Sequence, residues 1–336
     1  MLLSSSIQPS ASAAYHRAFD KLHPVTPFPP PSLDGITFIP SIPPATPFYE
    51  TIKNNETILS FNEKMHIKNF ILAACAAVLA TAAPIKKRVA PNPGLAVDLP
   101  LYSWPIDGAW DEVYRALNDN PTTQFNIIIN PSSGPGTYPP NSDYTGGVAK
   151  LNSYGNAHVY GYLRVGFTDR AISEIQDDAN NYSQWQSHKN EDIHLDGIFV
   201  DEAPDSLDKL SYMKDVHDAI HSAFPGGIKI WTNPGATIPH EFYDYADTVT
   251  AFETGYNWWV DESREAIPWD LHGQSSVMIM RYEGDANDGG PEKQAKILMD
   301  RGFKSGFLWG QEGYQEFSRV WGKFADSIKQ EAQSYQ

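Results

Sequence analysis

The chain of 336 residues carries 25 Lys and Arg against 41 Asp and Glu, a formal net charge of −16. That balance tells against a nucleic-acid partner, which needs a basic face, and suits neutral or cationic ligands. A single cysteine, Cys75, excludes a disulfide framework within the chain, and the length allows one large domain or two medium ones.

Residues 1–64 are crowded with proline, as in Pro27-Phe28-Pro29-Pro30-Pro31 and Pro43-Pro44, and show neither helical nor strand periodicity. Such a stretch buries too little apolar surface to offset its ordering entropy, so disorder is expected there. Met65-His66-Ile67-Lys68-Asn69 then leads into the apolar run Phe70–Ala80, with small residues at Ala80 and Ala82. This reads as a secretory signal peptide over 65–82, cleaved after Ala82, since the run is shorter than the roughly 20 residues of a membrane span. A buried core helix is the alternative reading of the same run. A signal must stand at the start of a nascent chain, so Met65 is the expected initiator and residues 1–64 an upstream extension. Residues 83–94 form a short linker in which Lys86-Lys87-Arg88 is either a processing site or a solvated charge run. Cleavage would remove Cys75 and leave the net charge at −16, because residues 1–83 hold five basic and five acidic side chains.

From residue 95 to 336 apolar strand-like runs alternate with amphipathic stretches, which points to one domain. The candidate strands are Leu95–Trp104, Gln124–Asn130, His158–Gly166, Asp196–Asp201, Ile228–Asn233, Thr248–Glu253, Ser276–Arg281 and Gly306–Trp309. Leu207, Leu210, Met213, Val216, Ile220 and Phe224 recur at helical spacing, as do Phe317, Val320, Trp321, Phe324 and Ile328. Runs such as Ile127-Ile128-Ile129 suit parallel strands buried on both faces. Eight strands followed by helices give an α/β fold, a (β/α)₈ TIM-type barrel. A doubly wound sheet shares the alternation but usually carries a Gly-rich phosphate turn, which is absent here.

In such a barrel the residues just after each strand build the site. They are Tyr102 and Trp104, Asn130, Tyr162 and Arg164, Asp201 and Glu202, Asn233, Glu253 with Tyr256, Arg281 and Tyr282, and Trp309 with Gln311. Adjacent carboxylates at Asp201-Glu202, directly after a buried run, are costly in desolvation and mutual repulsion. They are either functional or engaged with Arg164 or the next helix. Glu253 ends an apolar run two strands later, which places it across the mouth from Asp201 and supplies the second carboxylate of glycoside hydrolysis. Fold-level analogy with barrels that cleave α-galactosides makes Asp201 the nucleophile and Glu253 the acid/base. Tyr102, Trp104, Tyr162, Tyr256, Trp258, Trp259 and Trp309 can stack on sugar faces. His217 and His221 stand at i, i+4 but lack a zincin Glu and a third ligand, so they read as surface residues and no metal or cofactor is expected. Ser132-Ser133-Gly134 lacks the elbow of a serine esterase, and Asn181-Tyr182-Ser183 is a glycosylation sequon.

Leu99–Tyr102, Ile129–Gly136, Asn141–Tyr144, Gly161-Tyr162, Asp196–Pro204, Asn233-Pro234-Gly235 and Phe252-Glu253 together resemble the spherulin-4-like proteins, also classed as glycoside hydrolase family 135. The resemblance runs from about residue 97 to 325. It implies a barrel acting as an endo-glycosidase of α-1,4-N-acetylgalactosaminidase type on galactosaminogalactan, a fungal exopolysaccharide of galactose, N-acetylgalactosamine and galactosamine. The family's acidic residues fall on Asp201, Glu202 and Glu253, and the proline-rich leader departs from its pattern. Tyr102, Trp104, Asn130, Tyr162, Arg164, Asn233, Tyr256, Arg281 and Trp309 are the expected substrate contacts. The expected protein is a secreted or wall-associated monomer with a polysaccharide substrate and no membrane attachment after signal cleavage. A non-catalytic glycan-binding spherulation or stress protein on the same scaffold is the alternative. Retention or inversion depends on carboxyl separation and stays open at this point.

Overall fold

The computed structural model describes residues 90–284, 289–311, 314 and 317–335. The expectations for residues 1–82, and for Lys86-Lys87-Arg88, lie outside the described residues. Eight parallel strands form a closed barrel in chain order: β1 Ala96–Leu101, β2 Phe125–Ile129, β3 Ala157–Arg164, β4 Gly197–Asp201, β5 Lys229–Asn233, β6 Thr248–Gly255, β7 Ser275–Met280 and β8 Ser305–Leu308, with β8 pairing back onto β1. The alternative of a doubly wound open sheet is thereby excluded. The helices are α1 Asp111–Asp119, α2 Ser142–Asn152, α3 Ile172–Ser183, α4 Leu210–Ala223, α5 Asp261–Ala266, α6 Gly290–Asp300 and α7 Arg319–Gln333. Among the described residues no helix is long and apolar enough to cross a membrane.

The expectation of a helix after every strand fails once. Between β5 and β6 the chain makes only a 3₁₀ turn, His240–Tyr245. Pro234 and Pro239 remove two backbone donors from this short connection, so an α-helix has little room to start. The helical pattern beginning at Leu207 also starts as a 3₁₀ turn, Leu207–Lys209, before α4 takes over.

The segment Asp196–Glu202 shows how local chemistry builds the mouth. The Asp196 Oδ2 accepts from the Val159 amide at 2.9 Å and fixes the β3–β4 register at its start. Ile198 and Val200 are fully buried. Gly197 has no Cβ because one would come within 2.4 Å of the Tyr160 ring, which lies across it inside the barrel. Phe199 and Tyr160 each meet the Trp231 ring edge-on, at 5.0 and 5.5 Å, and the Trp231 Nε1 donates to the Thr250 Oγ1 at 2.9 Å. This aromatic layer fills the barrel below the mouth. Strand alternation then carries Asp201 to the rim.

Inside the barrel Asp98 is fully buried, accepting from the Asn126 Nδ2 at 2.8 Å and the Ser276 Oγ at 2.7 Å. Desolvation raises its pKa to about 6, against the pull of those hydrogen bonds. A carboxyl whose pKa is higher folded than unfolded binds more protons in the native state, so it weakens the fold as pH rises from about 4 to 6. The shift corresponds to about 3 kcal/mol across that window. Asp98→Asn keeps the shape without the charge. It is expected to flatten this part of the stability curve, measured by urea unfolding between pH 4 and 7; an unchanged slope would show that Asp98 is not the titrating group.

Candidate active site

Asp201 ends β4, Asn233 ends β5, and Glu253 lies in β6, so three adjacent strands deliver the central groups. In β6 a register shift between Thr250 and Phe252 inserts one extra residue. Thr250 faces the barrel interior, where it meets Trp231. Regular alternation would put Phe252 on that face and turn Glu253 away. The bulge reverses this: Phe252 packs against Trp259, with ring centroids 4.8 Å apart, and Glu253 enters the mouth.

The Asn233 amide joins the two carboxylates. Its Nδ2 donates to the Asp201 Oδ1 at 2.8 Å and to the Glu253 Oε2 at 2.7 Å. Both bonds leave one nitrogen, so the two oxygens lie no more than 5.5 Å apart, the sum of the two lengths. The Asn233 Oδ1 accepts from the Gly235 amide at 3.0 Å, so both amide hydrogens and the carbonyl are already used, and the residue is only 4% exposed. Asn233 was expected to touch substrate; the structure gives it to the carboxylates instead. Glu253 was expected across the mouth from Asp201; it lies beside it, one strand removed, and is 5% exposed.

Each carboxylate also has a tyrosine. The Tyr162 hydroxyl donates to the Asp201 Oδ2 at 2.7 Å, and the Tyr314 hydroxyl donates to the Glu253 Oε1. Tyr102 stands between the two phenols, edge-on to Tyr162 at 5.6 Å and to Tyr314 at 5.3 Å. Burial first, then the neighbouring carboxylates, push the Tyr102, Tyr162 and Tyr314 hydroxyls above the usual phenol range. All three therefore stay protonated at neutral pH, and Tyr162 and Tyr314 act as donors. Tyr162 is buried, so its expected role as a stacking ring becomes that of a donor to Asp201. Tyr314 was not singled out from the sequence, where only its position after β8 could have marked it.

Glu202 faces Arg164, with 3.5 Å between Oε2 and Nη1, which is the alternative the sequence left open for the acidic pair. Its backbone has φ of +56°, a left-handed conformation costing a non-glycine residue about 1 kcal/mol, and its carbonyl accepts from the Phe167 amide at 2.8 Å. On the one rim Glu202 thus meets Arg164, while Asp201 meets Asn233.

The remaining candidates divide. Trp104 is exposed at the mouth, and its Nε1 donates to the Asp143 Oδ2 at 2.9 Å. Arg281 is exposed after β7, where φ is +54°. Tyr256 packs edge-on to Tyr282 at 4.9 Å, and its hydroxyl accepts from the Gln294 Nε2 at 3.4 Å. Asn130 organises its own loop, accepting from the Gly134 amide on Oδ1 and from the Tyr144 hydroxyl on its carbonyl. Trp309 is 1% exposed and stacked on Phe307 at 5.2 Å, so its ring belongs to the core and offers no face to a sugar. Trp259 is buried likewise. His217 and His221 pack ring to ring at 4.3 Å, and among the described residues no three His, Cys, Asp or Glu side chains gather as metal ligands.

Comparison with known proteins bears on the same stretch of chain. A family model described as spherulation-specific family 4 matches residues 96–328, which span every group from Tyr102 to Tyr314. Spherulin-4 of Physarum polycephalum is 31% identical over 155 residues, covering 46% of this chain and 43% of its own length. The match therefore spans less than half of that relative. The crystal structure of Aspergillus clavatus Sph3 in complex with GalNAc is similar with a TM-score of 0.63 and 28% identity, over 71% of this chain and 98% of that one.

Proposed function

The chain belongs to the spherulation-specific family 4, and from that membership we propose that it is a secreted endo-glycoside hydrolase. The proposed substrate is a polysaccharide containing N-acetylgalactosamine and galactosamine, and the crystallised relative Sph3 carries GalNAc. One observation supports catalysis above the rest: Asp201 and Glu253 share the Asn233 amide, with oxygens within 5.5 Å. Glycosidases that retain anomeric configuration hold their carboxyl groups about 5–5.5 Å apart, against about 6.5–9.5 Å for inverting ones.

In the proposed reaction the Asp201 carboxylate attacks the anomeric carbon while the Glu253 carboxyl protonates the departing glycosidic oxygen. The C–O bond breaks and a glycosyl ester forms on Asp201. Glu253, now a carboxylate, takes a proton from water, whose oxygen attacks the same carbon and releases Asp201. Asn233, Tyr162 and Tyr314 hold the carboxylates in line throughout, and the Glu202–Arg164 pair grips substrate or tunes charge at the rim. A net charge of −16 suits a polymer made partly cationic by free amines.

The test is release of reducing ends from purified galactosaminogalactan by the secreted protein. Steady release supports the proposal. Binding of the polymer without release would make the protein a glycan-binding module on a barrel scaffold.

A further inference from the structure

Among the described residues the exposed large apolar side chains are Trp104, Ile106, Tyr138, Leu207, Trp258 and Val260. All six follow the C-terminal ends of strands: two after β1, one after β2, one after β4 and two after β6. None lies on a connection leading into a strand. Single exposed apolar residues scattered over a surface are ordinary, but six confined to the connections that leave the strand ends, as the carboxylates do, mark a contact surface.

Trp104 is held by its ring and Trp258 by its backbone. Trp104 is 41% exposed, yet its Nε1 is bonded to Asp143 and its ring sits edge-on to Tyr144 at 4.8 Å. Trp258 is 61% exposed at the end of the 3₁₀ turn Tyr256–Trp258. That turn is anchored by the next residue: Trp259 is buried against Phe252, the Arg264 Nη2 donates to its carbonyl at 2.5 Å, and the Arg264 guanidinium lies 5.3 Å from its ring. One indole of the pair fixes the backbone and the other projects into solvent. A ring fixed before binding, as that of Trp104 is, loses little entropy when a ligand covers it, and an indole face suits the apolar C–H face of a sugar.

We propose that Trp104 and Trp258 are stacking platforms for sugar units distant from the cleaved bond. A bound glycan then crosses the mouth from the β1 side to the β6 side, past Asp201 and Glu253. This rests on the glycosidase reading for the identity of the ligand. A long neutral or partly cationic glycan is the occupant because the apolar residues continue the rim of the carboxylate site and the chain is acidic.

The test is calorimetric titration of the full chain carrying Asp201→Asn with N-acetylgalactosamine and with its α-1,4 oligosaccharides of graded length. Affinity should rise with length. Adding Trp104→Ala or Trp258→Ala should weaken the longest ligands about tenfold each, leaving the monosaccharide unaffected, while Trp258→Phe restores most of the loss. A length dependence unchanged by both alanine variants overturns the proposal. So does a concentration-dependent dimer in sedimentation that either variant dissolves, which would assign the face to a second copy. If the variants flatten the length dependence but the wild type releases no reducing ends, the platforms stand and the catalytic reading falls.

Discussion

Asp201→Asn is expected to lower kcat on polymer by about 10⁴-fold, because the glycosyl ester of the proposed reaction forms on its carboxylate. Glu253→Gln is expected to cost about 10²–10⁴-fold on polymer and much less on an aryl glycoside, whose leaving group needs no proton. The difference between the two substrates separates the roles. Equal losses on both would contradict the assignment of Glu253 as acid. Neither variant should melt earlier than wild type, since each keeps the side chain's shape and an oxygen that can accept from the Asn233 amide. A lowered melting temperature would place the damage in folding, and activity should be read only from variants that pass this check.

The second large effect is expected at Asn233, which touches no substrate in this account. Asn233→Ala takes a donor from both carboxyl groups at once and loosens their placement in a largely buried setting. We expect kcat to fall about 10²-fold with KM nearly unchanged, and stability to drop by about 1–3 kcal/mol for the unsatisfied buried acceptors. Separate determination of kcat and KM decides the point. A raised KM with preserved kcat would return Asn233 to the substrate-contact role that its position after β5 suggested.

The barrel was legible because its cause is local. Eight apolar runs lie within a few residues of the eight strands, and burial on both faces is what makes such runs continuous. Asp201 was legible for the same reason, since it terminates one of those runs. What escaped depends on geometry that no run of residues encodes. The bulge at β6 turns Glu253 inward, and its signature is a pairing shift against β7. The sharing of one amide between two acids depends on the lateral pairing of β4, β5 and β6, so by position alone Asn233 is one more rim residue. Trp309 shows the opposite error: it follows β8 as a site residue would, but Phe307 and Phe317 close over its ring. Tyr314 sits in a loop with no periodicity, and only the fold brings it to Glu253.

Asp201 and Glu253 are proposed to work as a closely spaced pair through an ester intermediate. The direct measurement is proton NMR of the sugar released in the first minutes of hydrolysis of an α-linked N-acetylgalactosamine oligosaccharide. With an ester intermediate the new reducing end appears first as the α-anomer and only later equilibrates. The β-anomer appearing first would mean direct attack by water across a wider carboxyl gap, and would contradict the proposal.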